Sequence, residues 1–167
     1  MSTSANEMRL FARWVKVGPT SCEHVLLEAA ARLREPFEAA GFRLVEKTFD
    51  GSGTPAHSLN LERRDASGAV DYIVITFDKR HLLRFQVIFG AKEARAPYGW
   101  IRSGALVWRP GSELDKHKWW GAKLWHVNRP QALAHAVAEV ASLVPQALRF
   151  LASGEAGENV HSVQIAE

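Results

Sequence analysis

The sequence predicts an α+β domain, in which an antiparallel sheet of four to five strands carries helices mainly on one face. Apolar residues recur at steps of three or four near residues 20–41 and 130–151, as they do in amphipathic helices. Between these regions, apolar and polar residues alternate with the period of two that is typical of strands. The connections between the expected strands are short, and short connections require antiparallel pairing. Helices set apart from a run of strands indicate the α+β class.

The length and composition predict one domain. The chain has 167 residues, and we expect an N-terminal extension over 1–19 and a flexible tail over 153–167. A content of 47% hydrophobic and 23% charged residues excludes a disordered chain. The single cysteine excludes a disulfide framework and a cysteine-rich zinc module. No apolar run reaches the roughly 20 residues that span a bilayer, and no signal-peptide pattern is present. We therefore expect a cytoplasmic protein with no membrane contact.

The first part of the chain contains one clear helix. Residues 4–17 fit either a short helix or a strand. From Thr20 onward the pattern predicts a helix whose apolar face consists of Cys22, Leu26, Ala29, Leu33, Phe37 and Ala40. Gly41 is expected to end this helix in a left-handed conformation, with Phe42 packing back on the last turn. Pro36 is expected to kink or break it.

Strands are expected in the middle of the chain. The alternating stretches are residues 43–49, 57–64, 70–77 and 82–89, with a shorter candidate at 104–108. Polar and glycine-containing residues at 65–68 and 78–81 are typical of tight turns between strands. The third and fourth stretches are strongly apolar, which places them near the centre of the sheet.

The last helix has the most regular pattern in the sequence. Its apolar stripe consists of Leu133, Val137, Val140, Val144, Leu148 and Leu151, which predicts a helix packed on the sheet. Asn128 is expected to cap its N-terminus, and Pro130 fits the first turn. Pro145 is expected to kink the helix.

Positive charge and tryptophan coincide in one part of the chain. The net charge of +3 is too small to indicate nucleic-acid binding by itself. Residues 91–129, however, contain eight Lys and Arg against three Asp and Glu, and they hold five of the six tryptophans. This segment is therefore the strongest functional indication in the sequence.

Catalytic signatures are absent from the sequence, so an enzyme is not favoured and no cofactor or metal is expected. Cys22 could be a nucleophile near a helix N-terminus, but its place on the apolar helix face favours packing. Three histidines are spaced nine residues apart, which does not suit a metal site on one helical turn: His117, His126 and His135. Asp78 and His81 could form an acid–base pair, although polar residues are common at a turn for solubility alone.

Two adjacent tryptophans define the candidate site. Neighbouring residues of a strand face opposite sides, so Trp119 and Trp120 cannot both enter one core from a regular strand. Either one indole is exposed or covers a pocket, or both close the open end of a small core beneath lysine stems. The candidate binding surface consists of Arg102, Arg109, Lys116, His117, Lys118, Trp119, Trp120, Lys123, Trp125 and His126.

Several short stretches resemble the bacterial domain-of-unknown-function 4304 family. They are LREPFEAAGF at 33–42 with KTF at 47–49, NLER at 60–63 with RFQV at 84–87, and the double tryptophan. The resemblance covers about residues 25–151. It implies a helix that ends in Gly-Phe, then strands, then a closing helix. It implies no reaction, because that family has no established activity.

Three functions compete at this point. The first is a binding protein whose partner is another protein or a second copy, held at the uncovered sheet face where Val74, Ile75, Phe85 and Val87 alternate. The second is a module for nucleic acid or another anionic ligand, using the cations Arg102, Arg109, Lys116, Lys118 and Lys123 with the tryptophans. The third is a hydrolase with a histidine and carboxylate site, which would require a deep pocket.

Overall fold

The computed structural model describes residues 20–45, 58–64, 68–78, 83–92, 98–101, 119–122 and 127–163. These residues form two helices, α1 (Thr20–Ala39) and α2 (Arg129–Ser153). The strands are β1 (Arg43–Val45), β2 (Ser58–Arg64), β3 (Val70–Phe77), β4 (Arg84–Ala91), β5 (Tyr98–Ile101), β6 (Trp120–Gly121) and β7 (Val160–Val163). All their pairings are antiparallel. The predicted α+β class is confirmed.

The described sheet has seven strands in the order β1-β2-β3-β4-β5-β7, with β6 also paired to β4. This is more than the four to five expected, because four of the described strands are only two to four residues long. Alternation over so few residues is too short to recognise in a sequence. The long strands β2, β3 and β4 lie within two residues of the expected ranges. β5 was not expected at all.

The sheet has one buried face. Every second residue of β2, β3 and β4 is buried there: Leu59, Leu61, Ile73, Ile75, Phe77, Phe85, Val87 and Phe89. These side chains belong to one apolar core with the inner faces of both helices. Helix α2 packs against α1 and against β4 to β7, and the Phe150 and Phe89 rings meet edge to face with centroids 5.5 Å apart. We call this side the inner face and the opposite side the outer face.

The predicted apolar stripe of α2 is buried over most of its length. Near the C-terminal end of the helix, the buried positions belong to residues other than those predicted. Leu133, Val137, Val140 and Val144 are buried, followed by Ala147 and Phe150. Leu148 and Leu151 are half-buried at the flank of the core.

The predicted helix ends are confirmed at both helices. Gly41 has a φ of 91°, and the Phe42 amide donates to the Phe37 carbonyl at 3.1 Å. The Phe37 and Phe42 rings meet edge to face, with centroids 6.1 Å apart. At the start of α2, the Asn128 side chain accepts from the Gln131 amide at 3.1 Å. Side-chain acceptance of an orphan amide is the function of an N-cap.

The two internal prolines do not break their helices. Helix α1 continues through Pro36, and α2 continues through Pro145. Pro145 is exposed, so solvent can satisfy the carbonyl group that lacks an N–H donor one turn earlier. Packing of the apolar faces on both sides of each proline holds the helix together, which sequence propensity does not capture.

Strands β5 and β6 lie along the same side of β4 and run in the same direction. Trp100 pairs with Ile88, and Trp120 pairs with Phe85. Two residues of β4 separate Ile88 from Phe85, whereas nineteen residues of the chain separate Trp100 from Trp120. The two strands therefore occupy the same place in the strand order beside β4, with a break between them.

The expectation of a flexible tail over 153–167 is corrected by strand β7. Val160 to Val163 pair with Ile101 to Tyr98 of β5. The turn before β7 is tied to α2, because the Asn159 amide donates to Gln146 Oε1 at 3.0 Å. The polar, glycine-containing sequence suggested fraying, but pairing with a distant strand satisfies its backbone groups.

Other expectations fall on residues outside the described ranges. They are the N-terminal extension 1–19, the continuation of the first strand over 46–49 and the candidate strand 104–108. The side chain of Cys22 also lies outside the described residues, so its packing in the core, favoured over a role as nucleophile, stays a prediction.

Candidate binding surface

Two of the ten candidate surface residues lie in the described part of the chain, Trp119 and Trp120. The other eight lie outside it: Arg102, Arg109, Lys116, His117, Lys118, Lys123, Trp125 and His126. The structure therefore places the tryptophan pair and the chain positions that flank the basic segment.

Trp120 is a core residue. It is 3% exposed, and its indole Nε1 donates to the Ile101 carbonyl at 3.0 Å. Including Trp120 in the binding surface was wrong, because β6 turns this side chain toward α2 and the inner face. The hydrogen bond satisfies the polar atom that burial would otherwise leave without a partner.

Trp119 has a different environment from its neighbour. It is half-buried, and the Arg84 guanidinium carbon lies 4.8 Å from the centre of its ring, which is within the range of a cation–π contact. The sequence left open whether one indole is exposed or both close one core, and here only Trp120 is a core residue. The pair instead divides between the core and a partly exposed position beside Arg84.

Asp78 fixes the position of Arg84. Its side chain is 5% exposed and forms an ion pair with Arg84, whose Nε donates to Oδ2 at 2.5 Å. The Asp78 amide also donates to the Arg84 carbonyl at 3.1 Å. This carboxylate is thus engaged by a guanidinium, which does not support the acid–base pair considered for Asp78 and His81. His81 lies outside the described residues.

The outer face of the sheet carries a mixed surface. Val74 and Ile88 are cross-strand neighbours at its centre, and both are half-buried. Around them lie Asn60, Tyr72, Thr76 and Gln86, also half-buried. Of the four apolar residues expected to alternate here, only Val74 faces outward. Both described helices pack on the opposite, inner face.

Charged residues at the far end of the sheet are paired. Arg63 forms an ion pair with Asp71 at 2.6 Å, and its guanidinium carbon lies 4.6 Å from the centre of the Phe42 ring. Lys92 pairs with Glu62 across β3. These contacts pair Arg63 and Lys92 with carboxylates and tie the end of α1 to the sheet.

Arg84 is the functional candidate that the sequence analysis missed. A single arginine at the start of an apolar strand gives no signal, and its two partners come from other strands or turns. Its partner Trp119 was found through the double tryptophan.

The described residues contain no metal-binding cluster and no membrane-spanning helix. No group of three or more His, Cys, Asp or Glu among them could hold a metal ion. His135 is exposed on α2, and His117 and His126 are outside the described ranges. Neither described helix is long and apolar enough to cross a membrane.

Comparisons with known proteins assign no family. No family model, no curated protein and no solved structure matches this chain. Membership of the domain-of-unknown-function 4304 family thus stays a prediction from short stretches of sequence.

Proposed function

We propose that this chain is a small cytoplasmic binding protein, related to the domain-of-unknown-function 4304 family, that holds a protein partner on the outer face of its sheet. The partner is another protein or a second copy of the chain. The observation that carries the proposal is the apolar pair Val74 and Ile88 at the centre of that face, on the side away from both described helices.

The residues around this pair support the proposal. Tyr72 adds an amphipathic aromatic side chain, while Asn60, Thr76 and Gln86 supply polar groups beside the apolar centre. An apolar centre with a polar rim, and aromatic residues near the centre, is typical of protein interfaces. A strand surface is also held rigidly by its hydrogen-bonded neighbours, so little ordering is required on binding.

Site-specific photo-cross-linking tests this proposal whatever the identity of the partner. A photoreactive phenylalanine analogue replaces Thr76 or Gln86 on the outer face, and Ala138 on the exposed side of α2 is the matched control. We expect discrete adducts from positions 76 and 86 and none from position 138. Adducts of twice the chain mass would identify a second copy.

A second substitution links the adducts to the apolar pair. Ile88→Glu places a charge in the centre of the proposed interface and should remove the adducts at position 86, with the melting temperature little changed. Equal adduct yields from all three positions, no adducts at all, or adducts that survive Ile88→Glu in a folded protein would each refute the proposal.

A further inference from the structure

We propose that the partner held on the outer face is a second copy of this chain, with the two sheets packed face to face across a two-fold axis. This inference rests on the proposed function and deepens it by naming the partner. Three properties of the described outer face carry it: its area, the position and pairing of its charges, and the chemistry of the polar side chains at its centre.

The described sheet is large enough to support a dimer. Strands β2, β3 and β4 have seven, eight and eight residues, and shorter strands extend the sheet on both sides of them. With about 4.8 Å between strands and about 3.4 Å per residue, the described strands cover roughly 600 Å². Two copies would therefore bury about 1,200 Å² in total, which reaches the range of specific protein interfaces.

The charged side chains of the described outer face lie at its margins. Asp78 forms an ion pair with Arg84 at one end of β3 and β4, and Glu62 forms an ion pair with Lys92 at the other end. Two further cations are exposed at the margin beside β1: Arg43 and Arg64. Two copies of one face bring identical groups together near the axis, so like charges at the centre would oppose association. Charges that lie at the margins and are largely paired within each copy avoid this repulsion.

The polar side chains around Val74 and Ile88 suit contact with their own copies. Asn60, Thr76 and Gln86 are half-buried on β2, β3 and β4. An amide or a hydroxyl group carries both a hydrogen-bond donor and an acceptor. Each of these groups can therefore bond to the same group of the other copy or to one of its neighbours, which two carboxylates or two ammonium groups could not do. The centre of the face is thus complementary to itself.

A two-fold axis makes a specific demand on position 88. Val74 and Ile88 are cross-strand neighbours at the centre of the face, so they lie close to an axis that relates two fully overlapped faces. Residues near such an axis face their own copies. The same charge at position 88 of both copies should therefore oppose dimer formation, whereas opposite charges on the two copies should permit it.

Sedimentation velocity of the full chain tests this inference. The test variants are Ile88→Glu and Ile88→Lys, measured singly and as an equal mixture. The matched controls are Ala138→Glu and Ala138→Lys, which place the same charges on the exposed side of α2. Thermal melts establish that the variants fold. If an Ile88 variant failed to fold, Gln86→Glu and Gln86→Lys would be measured by the same criteria.

The wild-type chain should sediment as a dimer with a dissociation constant in about the micromolar range. Each Ile88 variant alone should weaken dimerisation more than about tenfold, because it places like charges near the axis. The equal mixture should recover an affinity within about threefold of the wild type, since the two copies then carry opposite charges. The Ala138 variants should stay within about threefold of the wild type, because position 138 lies outside the interface.

Several results would overturn this inference. They are a wild-type chain that stays a monomer at about 100 µM, unchanged dimerisation in the folded Ile88 variants, equal weakening in the Ala138 controls, or no recovery in the mixture. A monomer whose positions 76 and 86 still cross-link to a different protein would end this inference and leave the proposed function standing. A monomer that gives no adducts at these positions would refute both.

Discussion

Trp119 and Trp120 are neighbours in sequence with opposite environments. Trp120 is enclosed by the core and donates a hydrogen bond to Ile101, whereas Trp119 is half-buried beside Arg84. The two positions therefore separate a packing role from a surface role with the same type of side chain.

Alanine substitutions should distinguish the two indoles. Trp120→Ala should lower the free energy of unfolding by about 3–5 kcal/mol, because it leaves a cavity and an unpaired carbonyl. Trp119→Ala should cost about 1–2 kcal/mol through lost contact with Arg84 and partial burial. Urea denaturation of both variants measures the difference, and equal losses would contradict the assignment of Trp120 to the core.

Gly121 occupies a position that no other residue can take without strain. Its φ is 118°, and a Cβ there would collide with the Leu83 carbonyl and come within 3.0 Å of the Arg84 Cα. Gly68 is a matched control, since its φ is 89° and a Cβ would meet nothing within 4 Å.

The two glycines should respond differently to alanine. Gly68→Ala should cost about 1–2 kcal/mol of unfolding free energy, from the left-handed backbone alone. Gly121→Ala should cost about 2 kcal/mol more, because β4 and β6 must also move apart to make room for the Cβ atom. Thermal melts analysed for both variants would show this, and similar melting temperatures would indicate that β6 is not held this close to β4.

Helix α2 supplies much of the cover for the inner face of the sheet. Val140 lies at its centre and is fully buried, while Ala138 is exposed on the opposite side of the helix.

Aspartate substitutions at Val140 and at Ala138 should show which side of α2 faces the core. Val140→Asp should lower the free energy of unfolding by on the order of 4 kcal/mol, because it buries an unpaired charge. Ala138→Asp should cost less than about 1 kcal/mol, which is the difference in helix propensity. The midpoints of urea denaturation check this, and an unchanged midpoint for Val140→Asp would place the stripe outside the core.

Strand β7 depends on a polar contact with α2. Gln146 accepts from the Asn159 amide and also donates to the Asn159 side chain at 3.3 Å.

Loss of this contact should loosen β7 locally. Gln146→Ala should speed amide hydrogen exchange in residues 159–163 while leaving exchange in β3 and β4 unchanged, since only the edge strand loses an anchor. Exchange followed by mass spectrometry measures both regions. An equal increase in the two regions would show that the contact supports the whole fold.

At the scale of the whole molecule, the sequence predicted the helices and strands whose apolar pattern extends over many residues. β3 runs from Val70 to Phe77 as expected, and both helices lie close to their predicted ranges. β5, β6 and β7 have at most four residues each, and they exist because distant segments pair. Such pairing is a tertiary effect that local periodicity does not contain.

The candidate site was predictable only in part. The rule that adjacent strand residues face opposite sides separated Trp119 from Trp120, but it could not tell which of them enters the core. That choice depends on the register between β6 and β4. The contact between Arg84 and Trp119 joins positions 35 residues apart, so no local sequence pattern predicts it.

The described ends of β5 and β6 contact each other directly. Ile101 and Trp120 are joined by a hydrogen bond and belong to the same apolar core. Doubling the length of a connecting segment costs only about 0.6 kcal/mol in closure entropy. Because this contact holds the ends of β5 and β6 in place, a change in the length of the connection between them should cost little folding free energy, so that descendants of this chain can differ in that length while keeping the described scaffold.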